Sequence, residues 1–208
     1  MIERIRLVIA TTNPNKLREI REVLAEDHPV ELGSLSDVPP IAEPEETGET
    51  FEENARLKAF YYARHVAQAR GPRVLTVAED SGLIVDALGG EPGVRSARFV
   101  RPEATYAERF AEIYRRLAAR PAEPRTARFI CALAVVGDGA LLFEATGRIE
   151  GEISDAPRGN AGFGYDPIFH YPPFGRTLAE VTDAEKLRVA HRGHAFRKLG
   201  EWLSSQPA

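Results

Sequence analysis

Apolar residues first gather in a short run over residues 5–10, after alternating charge in Ile2-Glu3-Arg4-Ile5-Arg6, and the run reads as a buried strand. Thr11-Thr12-Asn13-Pro14-Asn15 breaks it. Leu17, Ile20, Val23 and Leu24 then recur at helical spacing, which predicts a helix from Pro14 to about Glu26, with proline tolerated in the first turn. Residues 30–35 predict a weaker strand, and the Pro- and Glu-rich residues 37–49 a loop. Thr50-Phe51-Glu52-Glu53 has the form of a capping box and opens a helix over residues 51–69. Residues 74–78 read as a strand ending at Glu79-Asp80-Ser81-Gly82. Apolar character resumes over residues 83–88, and Gly89-Gly90-Glu91-Pro92-Gly93 is a loop.

Further along, Phe110, Ile113, Tyr114 and Leu117 share one face of a helix over residues 105–119. Two strands, over residues 127–136 and 140–145, flank Gly137-Asp138-Gly139, where the Asp-Gly pair predicts a hairpin. Residues 155–177 are too rich in Gly, Pro and aromatics for one regular element. Thr182-Asp183-Ala184-Glu185 is a second capping box, opening a short helix to about Val189, and a last helix covers residues 193–204. Strands and helices interleave around a central hairpin, so the expected fold is α/β with a mixed sheet.

Length and charge narrow the picture. The 208 residues fit one domain spanning residues 1–208, with room for two lobes. The net charge of −4 gives no basic field of the kind that drives nucleic-acid binding, so a polyanion site must be a local cluster of cations. No apolar run reaches the ~18 residues of a transmembrane helix, and the charged N-terminus lacks a signal-peptide core. The single cysteine, Cys131, lies in an apolar strand and reads as a core thiol of a reducing compartment. No nucleic-acid or membrane partner is expected, and the cytoplasm is the default location.

Four polar clusters carry candidate chemistry. Thr11-Thr12-Asn13-Pro14-Asn15-Lys16 joins a strand to a helix N-terminus, where backbone N–H groups, hydroxyls and a lysine would cradle phosphate; plain helix capping by Thr12 or Asn13 explains the same residues. Glu45-Glu46-Thr47-Gly48 reads as an acidic binding loop or a solvated charge run. Glu79-Asp80 stands at the expected end of a central strand, where open α/β sheets place ligands, and with Glu46 could hold Mg²⁺; a turn-initiating aspartate is the alternative. Gly162-Phe163-Gly164-Tyr165-Asp166 sets aromatics among glycines beside a carboxylate, which suits stacking and edge recognition of a flat heteroaromatic ring. Lys186, His191 and Arg192 follow. Only four of the 27 basic residues are lysines, Lys16, Lys58, Lys186 and Lys198, and two of these fall in clusters marked for phosphate.

Taken together, the clusters resemble the inosine triphosphate pyrophosphatase family, the dITP/XTP pyrophosphatases. The matching segments start with Ala10-Thr11-Thr12-Asn13-Pro14-Asn15-Lys16, the Glu46 to Ala55 stretch and Asp80-Ser81-Gly82-Leu83-Ile84-Val85-Asp86-Ala87-Leu88. They continue with Pro92-Gly93-Val94-Arg95-Ser96-Ala97-Arg98, Gly162-Phe163-Gly164-Tyr165-Asp166-Pro167-Ile168-Phe169 and Ala179-Glu180 through Lys186 to His191-Arg192-Gly193. The resemblance implies an elongated, two-lobed α/β fold with a central mixed sheet flanked by helices and the active site in the cleft between lobes, usually as a homodimer. It implies a Mg²⁺-dependent pyrophosphatase that takes deaminated purine nucleoside triphosphates (ITP, dITP, XTP) to the monophosphate and pyrophosphate.

By the same resemblance, Thr11, Thr12, Asn13 and Lys16, with Pro14 and Asn15 between them, would meet the triphosphate. Glu46 and Asp80 would hold the metal, and Asp80 would also accept the proton. Ser81 would touch substrate. Phe163, Gly164, Tyr165 and Asp166 would form the base pocket, Lys186 would bind phosphate, and His191 with Arg192 would reach the base. Two positions depart from the family pattern. Glu79 stands where many relatives have Asp, and Ala190 where many have Ser. A pyrophosphatase for other modified nucleotides and a non-catalytic nucleotide sensor are the rival readings of the same residues.

Overall fold

A computed structural model of the chain describes residues 5–25 and 30–206. The charged start at Met1, Glu3 and Arg4 and the expected helix end at Glu26 lie outside the described residues. Strands β1 (Ile5–Ile9), β2 (Val30–Ser34), β3 (Leu75–Val85), β4 (Thr126–Gly137), β5 (Ala140–Ile153), β6 (Phe169–Tyr171) and β7 (Arg176–Thr177) form one sheet in the order β2-β1-β3-β4-β5-β6-β7. The helices are α1 (Pro14–Leu24), α2 (Phe51–Arg70), α3 (Tyr106–Ala118), α4 (Asp183–Val189) and α5 (His191–Ser204). β1 runs parallel to β2 and β3, whereas β6 is antiparallel to β5 and β7. The sheet is therefore mixed, as the interleaved pattern predicts. Among the described residues, no helix is long and apolar enough to cross a membrane.

The described chain gathers into two compact units. One takes the chain up to Asp80, Cys131–Gly147 and the chain from His191 on; the other takes Ser81–Ile130 and Arg148–Ala190. β3, β4 and β5 each pass from one unit into the other. In the first unit Val8, Val38, Val66 and Val74 pack together. In the second, Leu83, Val85, Phe110, Ile113, Phe129, Ile168 and Phe169 belong to one apolar cluster, with the Phe129 and Phe169 rings 4.6 Å apart.

Local signals set most element starts. Asn13 caps α1 and Pro14 occupies its first turn, where a missing N–H costs nothing. The capping boxes are formed: the Thr50 hydroxyl accepts from the Glu53 N–H at 3.1 Å and the Glu53 carboxylate accepts from the Thr50 N–H at 3.2 Å, and the Thr182/Glu185 pair repeats the arrangement. At the β4–β5 hairpin Asp138 and Gly139 both have positive φ, 49° and 73°, the mirror-image turn that matches strand twist.

Three elements differ from the expectation. β3 does not end at the acidic motif but runs through Glu79-Asp80-Ser81-Gly82 to Val85. Its neighbour β1 is what ends there: the last β1–β3 partners are Ile9 and Val77, after which Ala10 donates to the Val77 carbonyl and the chain turns away. β5 extends to Ile153 rather than Ala145. Residues Gly147, Ile149, Gly151 and Ile153 are buried and Arg148, Glu150 and Glu152 exposed, an alternation disguised in the sequence by glycine at two inward positions. α5 begins at His191, not Gly193, because Ala190 is extended (φ −72°, ψ 152°) and ends α4.

Gly147 lets β5 and α5 touch backbone to backbone: a Cβ there would lie 2.2 Å from the His191 carbonyl oxygen and 2.5 Å from the Ala195 nitrogen. Gly147→Ala must push the first turn of α5 away. We expect a loss of about 1–3 kcal/mol, the range for overpacking, read as a fall in melting temperature of roughly 2–12 °C.

Candidate active site

The first cluster is built at the end of β1. The turn after Ile9 closes with the Thr11 N–H on the Ile9 carbonyl at 3.1 Å. The Asn13 side-chain oxygen accepts from the Asn15 and Lys16 amides at 2.9 and 3.3 Å, and the Asn13 N–H donates to the Thr11 hydroxyl at 3.2 Å. Asn13 thus does act as the helix cap. The Thr12 hydroxyl bonds the Glu43 carboxylate. Pro14 and Asn15 form the first turn of α1, and Lys16 leaves it with its ammonium 2.7 Å from Glu79.

Successive strand residues point to opposite faces of a sheet, so Glu79 and Asp80 meet different helices. Asp80 faces α2. The Lys58 ammonium lies 2.8 Å from Asp80 and 2.7 Å from Glu46, bringing both carboxylates to one nitrogen. Asn54, one turn before Lys58, is buried, donates to Asp80 at 3.3 Å and accepts from the Gly48 N–H at 2.8 Å, tying the acidic loop to the strand. Burial raises the Asp80 pKa, the Lys58 charge opposes that, and the Glu46 charge adds to it; the net direction is upward. Burial pulls Lys58 down, but Asp80 and Glu46 outweigh it and raise it. Counted alone, these three groups carry a net −1. Two hard carboxylate donors converging on one point fit Mg²⁺, which keeps several waters and needs no protein cage.

Glu79 faces α1 and α5. Its side chain is 1% exposed. One oxygen takes Lys16 at 2.7 Å and Arg192 at 3.3 Å, and the other accepts from the Cys131 thiol at 3.2 Å. Arg192 is itself held by Glu19 at 2.7 Å. Burial would raise the Glu79 carboxyl, but the Arg192 and Lys16 charges hold it well below the usual carboxylate range. Cys131 is a core thiol as expected, its pKa pushed well up by burial and by Glu79.

The second unit holds the other cluster. Asp166 and Lys186 are both buried and pair at 2.6 Å. The Lys186 ammonium sits 4.5 Å from the Phe163 ring centre, a cation–π contact, and the Phe163 N–H donates to Asp166 at 2.8 Å. Gly162 permits this: its φ is 68° and a Cβ would fall 2.2 Å from the Asp166 carboxylate. Phe163 and Gly164 are half-buried, whereas Tyr165 is buried with its hydroxyl on the Ser96 carbonyl at 2.8 Å. Tyr106 from α3 stands edge-on to Tyr165, 5.3 Å between centres, over the buried Arg109 guanidinium.

Thr11, Thr12, Asn13, Pro14, Asn15, Lys16, Glu46, Asp80, His191 and Arg192 therefore all lie in the first unit. Ser81, the next residue of β3, lies in the second with Phe163, Gly164, Tyr165, Asp166 and Lys186. Two of these side chains are held by protein partners. Lys186, expected at phosphate, finds its partners in Asp166 and Phe163. Arg192, expected at the base, is 1% exposed and bonds Glu19 and Glu79 through its two terminal nitrogens, because two buried acids need its charge. His191 is buried at the start of α5. None of the four polar clusters in the sequence contains Asn54, Lys58 or Glu19. The Asn54/Lys58 spacing on a capped helix and the scarcity of lysine were the available signals.

The profile of the Ham1 family matches residues 7–202 of the chain. A dITP/XTP pyrophosphatase of Geobacillus kaustophilus is 46% identical over 197 residues, 94% of this chain and 92% of that protein. That of Bacillus subtilis is 41% identical over 198 residues, 95% of this chain and 96% of that protein. Among solved structures, a HAM1 protein from Coxiella burnetii superposes with a TM-score of 0.83 at 38% identity, covering 97% of this chain and 100% of that one. The Ham1 protein of Staphylococcus aureus gives 0.84 at 32% identity with the same coverage.

Because the folded Glu79 carboxyl lies well below its ordinary value of about 4.3, its stabilisation is whole above about pH 5 and drains as pH falls below about 4, where the unfolded chain takes up the proton first. Glu79→Gln leaves the buried Arg192 and the partly exposed Lys16 short of a counter-charge, a cost on the order of 3 kcal/mol. Thermal melts should show it roughly 6–12 °C below the parent protein at pH 7, with the gap narrowing towards pH 3. A gap independent of pH would mean that Glu79 is not held ionised.

Proposed function

Because the chain belongs to the Ham1 family, we propose that it hydrolyses non-standard purine nucleoside triphosphates (ITP, dITP and XTP) to the nucleoside monophosphate and pyrophosphate, keeping such bases out of DNA and RNA. The observation that carries the reading is the buried Asp80 carboxylate, gathered with Glu46 on the single ammonium of Lys58 at the point where β1 ends.

Glu46 and Asp80 are the residues to hold Mg²⁺, whose bound charge would neutralise phosphate oxygens as negative charge develops. Thr11, Thr12, Asn13 and Lys16, at the N-terminus of α1, receive the polyphosphate, with Lys186 as a second phosphate ligand. Asp80 takes the proton of the attacking water as the new P–O bond forms at the α-phosphorus. The bond from that phosphorus to the bridging oxygen breaks, and pyrophosphate leaves. Burial and the neighbouring Glu46 charge raise the Asp80 pKa above the ordinary carboxylate value, which strengthens it as a base. Ser81 contacts substrate. Phe163 stacks on the base, Gly164 lets the ring approach, and Tyr165 and Asp166 shape the pocket edge. On the family resemblance His191 with Arg192 would reach the base, Arg192 exchanging one of its two carboxylate partners for the C6 oxygen. On the family resemblance we take the enzyme to be a homodimer, with the cytoplasm as its default location.

Asp80→Asn keeps the shape and removes the basicity. We expect kcat with ITP to fall at least ~100-fold, the lower end for a lost acid–base group, while nucleotide binding partly survives. Products from a nucleotide panel with Mg²⁺, separated by ion exchange, should be monophosphate and pyrophosphate. Release of orthophosphate and a diphosphate overturns the assigned bond.

Arg192→Lys retains a cation for Glu19 and Glu79 but gives up the planar fork. If Arg192 donates to the C6 oxygen of hypoxanthine, the ITP-over-ATP ratio of kcat/KM should fall about tenfold or more, since a lost or mismatched donor costs about 1–3 kcal/mol. A ratio that holds would leave Arg192 as a buried counter-ion alone.

A further inference from the structure

Glu79 has no part in the proposed chemistry, yet it is the most enclosed carboxylate around the phosphate cradle. It sits on β3 next to Asp80 and points to the other face of the sheet. Its contacts join three elements: Lys16 on α1 at 2.7 Å, Arg192 on α5 at 3.3 Å and Cys131 on β4 at 3.2 Å. Glu19, three residues after Lys16 and so on the same helix face, grips the other side of the Arg192 guanidinium at 2.7 Å. These four charged groups, Glu19, Arg192, Glu79 and Lys16, sum to zero. Three of them are nearly sealed from solvent; only Lys16, with its side chain 21% exposed, opens to water. A neutral, buried row with one open end orients that end. Lysine alone is a flexible four-carbon stem that loses much rotamer freedom when fixed; here its ammonium lies 2.7 Å from Glu79.

We infer that Glu79 is a positioning residue for the polyphosphate: backed by Arg192, it holds the Lys16 ammonium at the β1–α1 turn in the orientation that receives the anion. The inference rests on the reading of that turn as a phosphate cradle. The glutamate side chain is long enough to reach Lys16 and Arg192 with one oxygen while the other meets Cys131.

The test is a double-mutant cycle on the full chain, read with two probes. Inorganic tripolyphosphate with Mg²⁺ reports binding by calorimetry, and ITP reports turnover. Lys16→Met and Glu79→Gln should each weaken tripolyphosphate about tenfold, the worth of 1.4 kcal/mol. The double variant should be no weaker than Lys16→Met alone to within about twofold, because Glu79 acts only through Lys16. With ITP, Glu79→Gln should raise KM by a similar factor with kcat within about threefold, the pattern of a lost ground-state contact. Glu79→Asp keeps the charge beside Arg192 and falls short of Lys16, so it should melt near the parent protein and still bind tripolyphosphate several-fold more weakly. If Glu79→Gln fails to fold, the cycle is run with Glu79→Asp. Additive losses in the cycle overturn the inference. So does unchanged or tighter tripolyphosphate binding by Glu79→Gln, which would mean that Glu79 merely neutralises Lys16. A parent protein that binds tripolyphosphate but turns over no ITP overturns the pyrophosphatase reading instead, while the binding cycle still decides the role of Glu79.

Discussion

Two adjacent carboxylates on the central strand govern the first unit. Glu79 and Asp80 are both buried, and a buried carboxylate costs several kcal/mol unless cations and hydrogen-bond donors surround it. Because neighbouring strand residues face opposite ways, one set of partners cannot serve both. α2 supplies Asn54 and Lys58 to one face, and α1 and α5 supply Lys16 and Arg192 to the other. The helices of this unit are thus held against the sheet by charge as well as by the packing of residues such as Val8 and Val66. β3 also gains nothing by ending at the motif: its backbone stays paired while β1 alone stops, which opens the sheet beside Asp80 without breaking the strand.

The two faces differ in charge balance, and the difference has chemical meaning. Around Glu79 the acids and bases cancel, so its ionisation is secure and the network is a support. Among Glu46, Asp80 and Lys58 alone the acids outnumber the base by one, and two hard carboxylates on one point suit a divalent cation. The second unit repeats the logic on a smaller scale. Lys186 satisfies the buried Asp166 and at the same time lies against the Phe163 ring, so one cation supports both a carboxylate and an aromatic surface. A positive-φ glycine, Gly162, admits the carboxylate that organises the loop.

Much of the architecture was legible along the chain because its causes are local. Capping boxes at Thr50 and Thr182, proline in the first turn of α1 and the Asp138-Gly139 turn depend on residues within a few positions of one another, and each is present as the sequence predicts. The mixed sheet follows from interleaved elements around a hairpin. The length of β5 was not legible, because inward glycines at 147 and 151 erase the apolar alternation that marks a strand, and what requires them is the approach of the His191 and His170 backbones from distant parts of the chain. The sequence by itself determined which residues carry candidate chemistry, through residue type, spacing and the rarity of lysine. Only the tertiary structure decided which of them meet. Lys58 joins Asp80 and Glu46, Lys186 joins Asp166, and Arg192 turns inward to Glu19 and Glu79. These pairings are fixed by the cost of leaving a buried charge alone, and that cost is set by neighbours as far apart in the chain as Glu19 and Arg192, which no local pattern encodes.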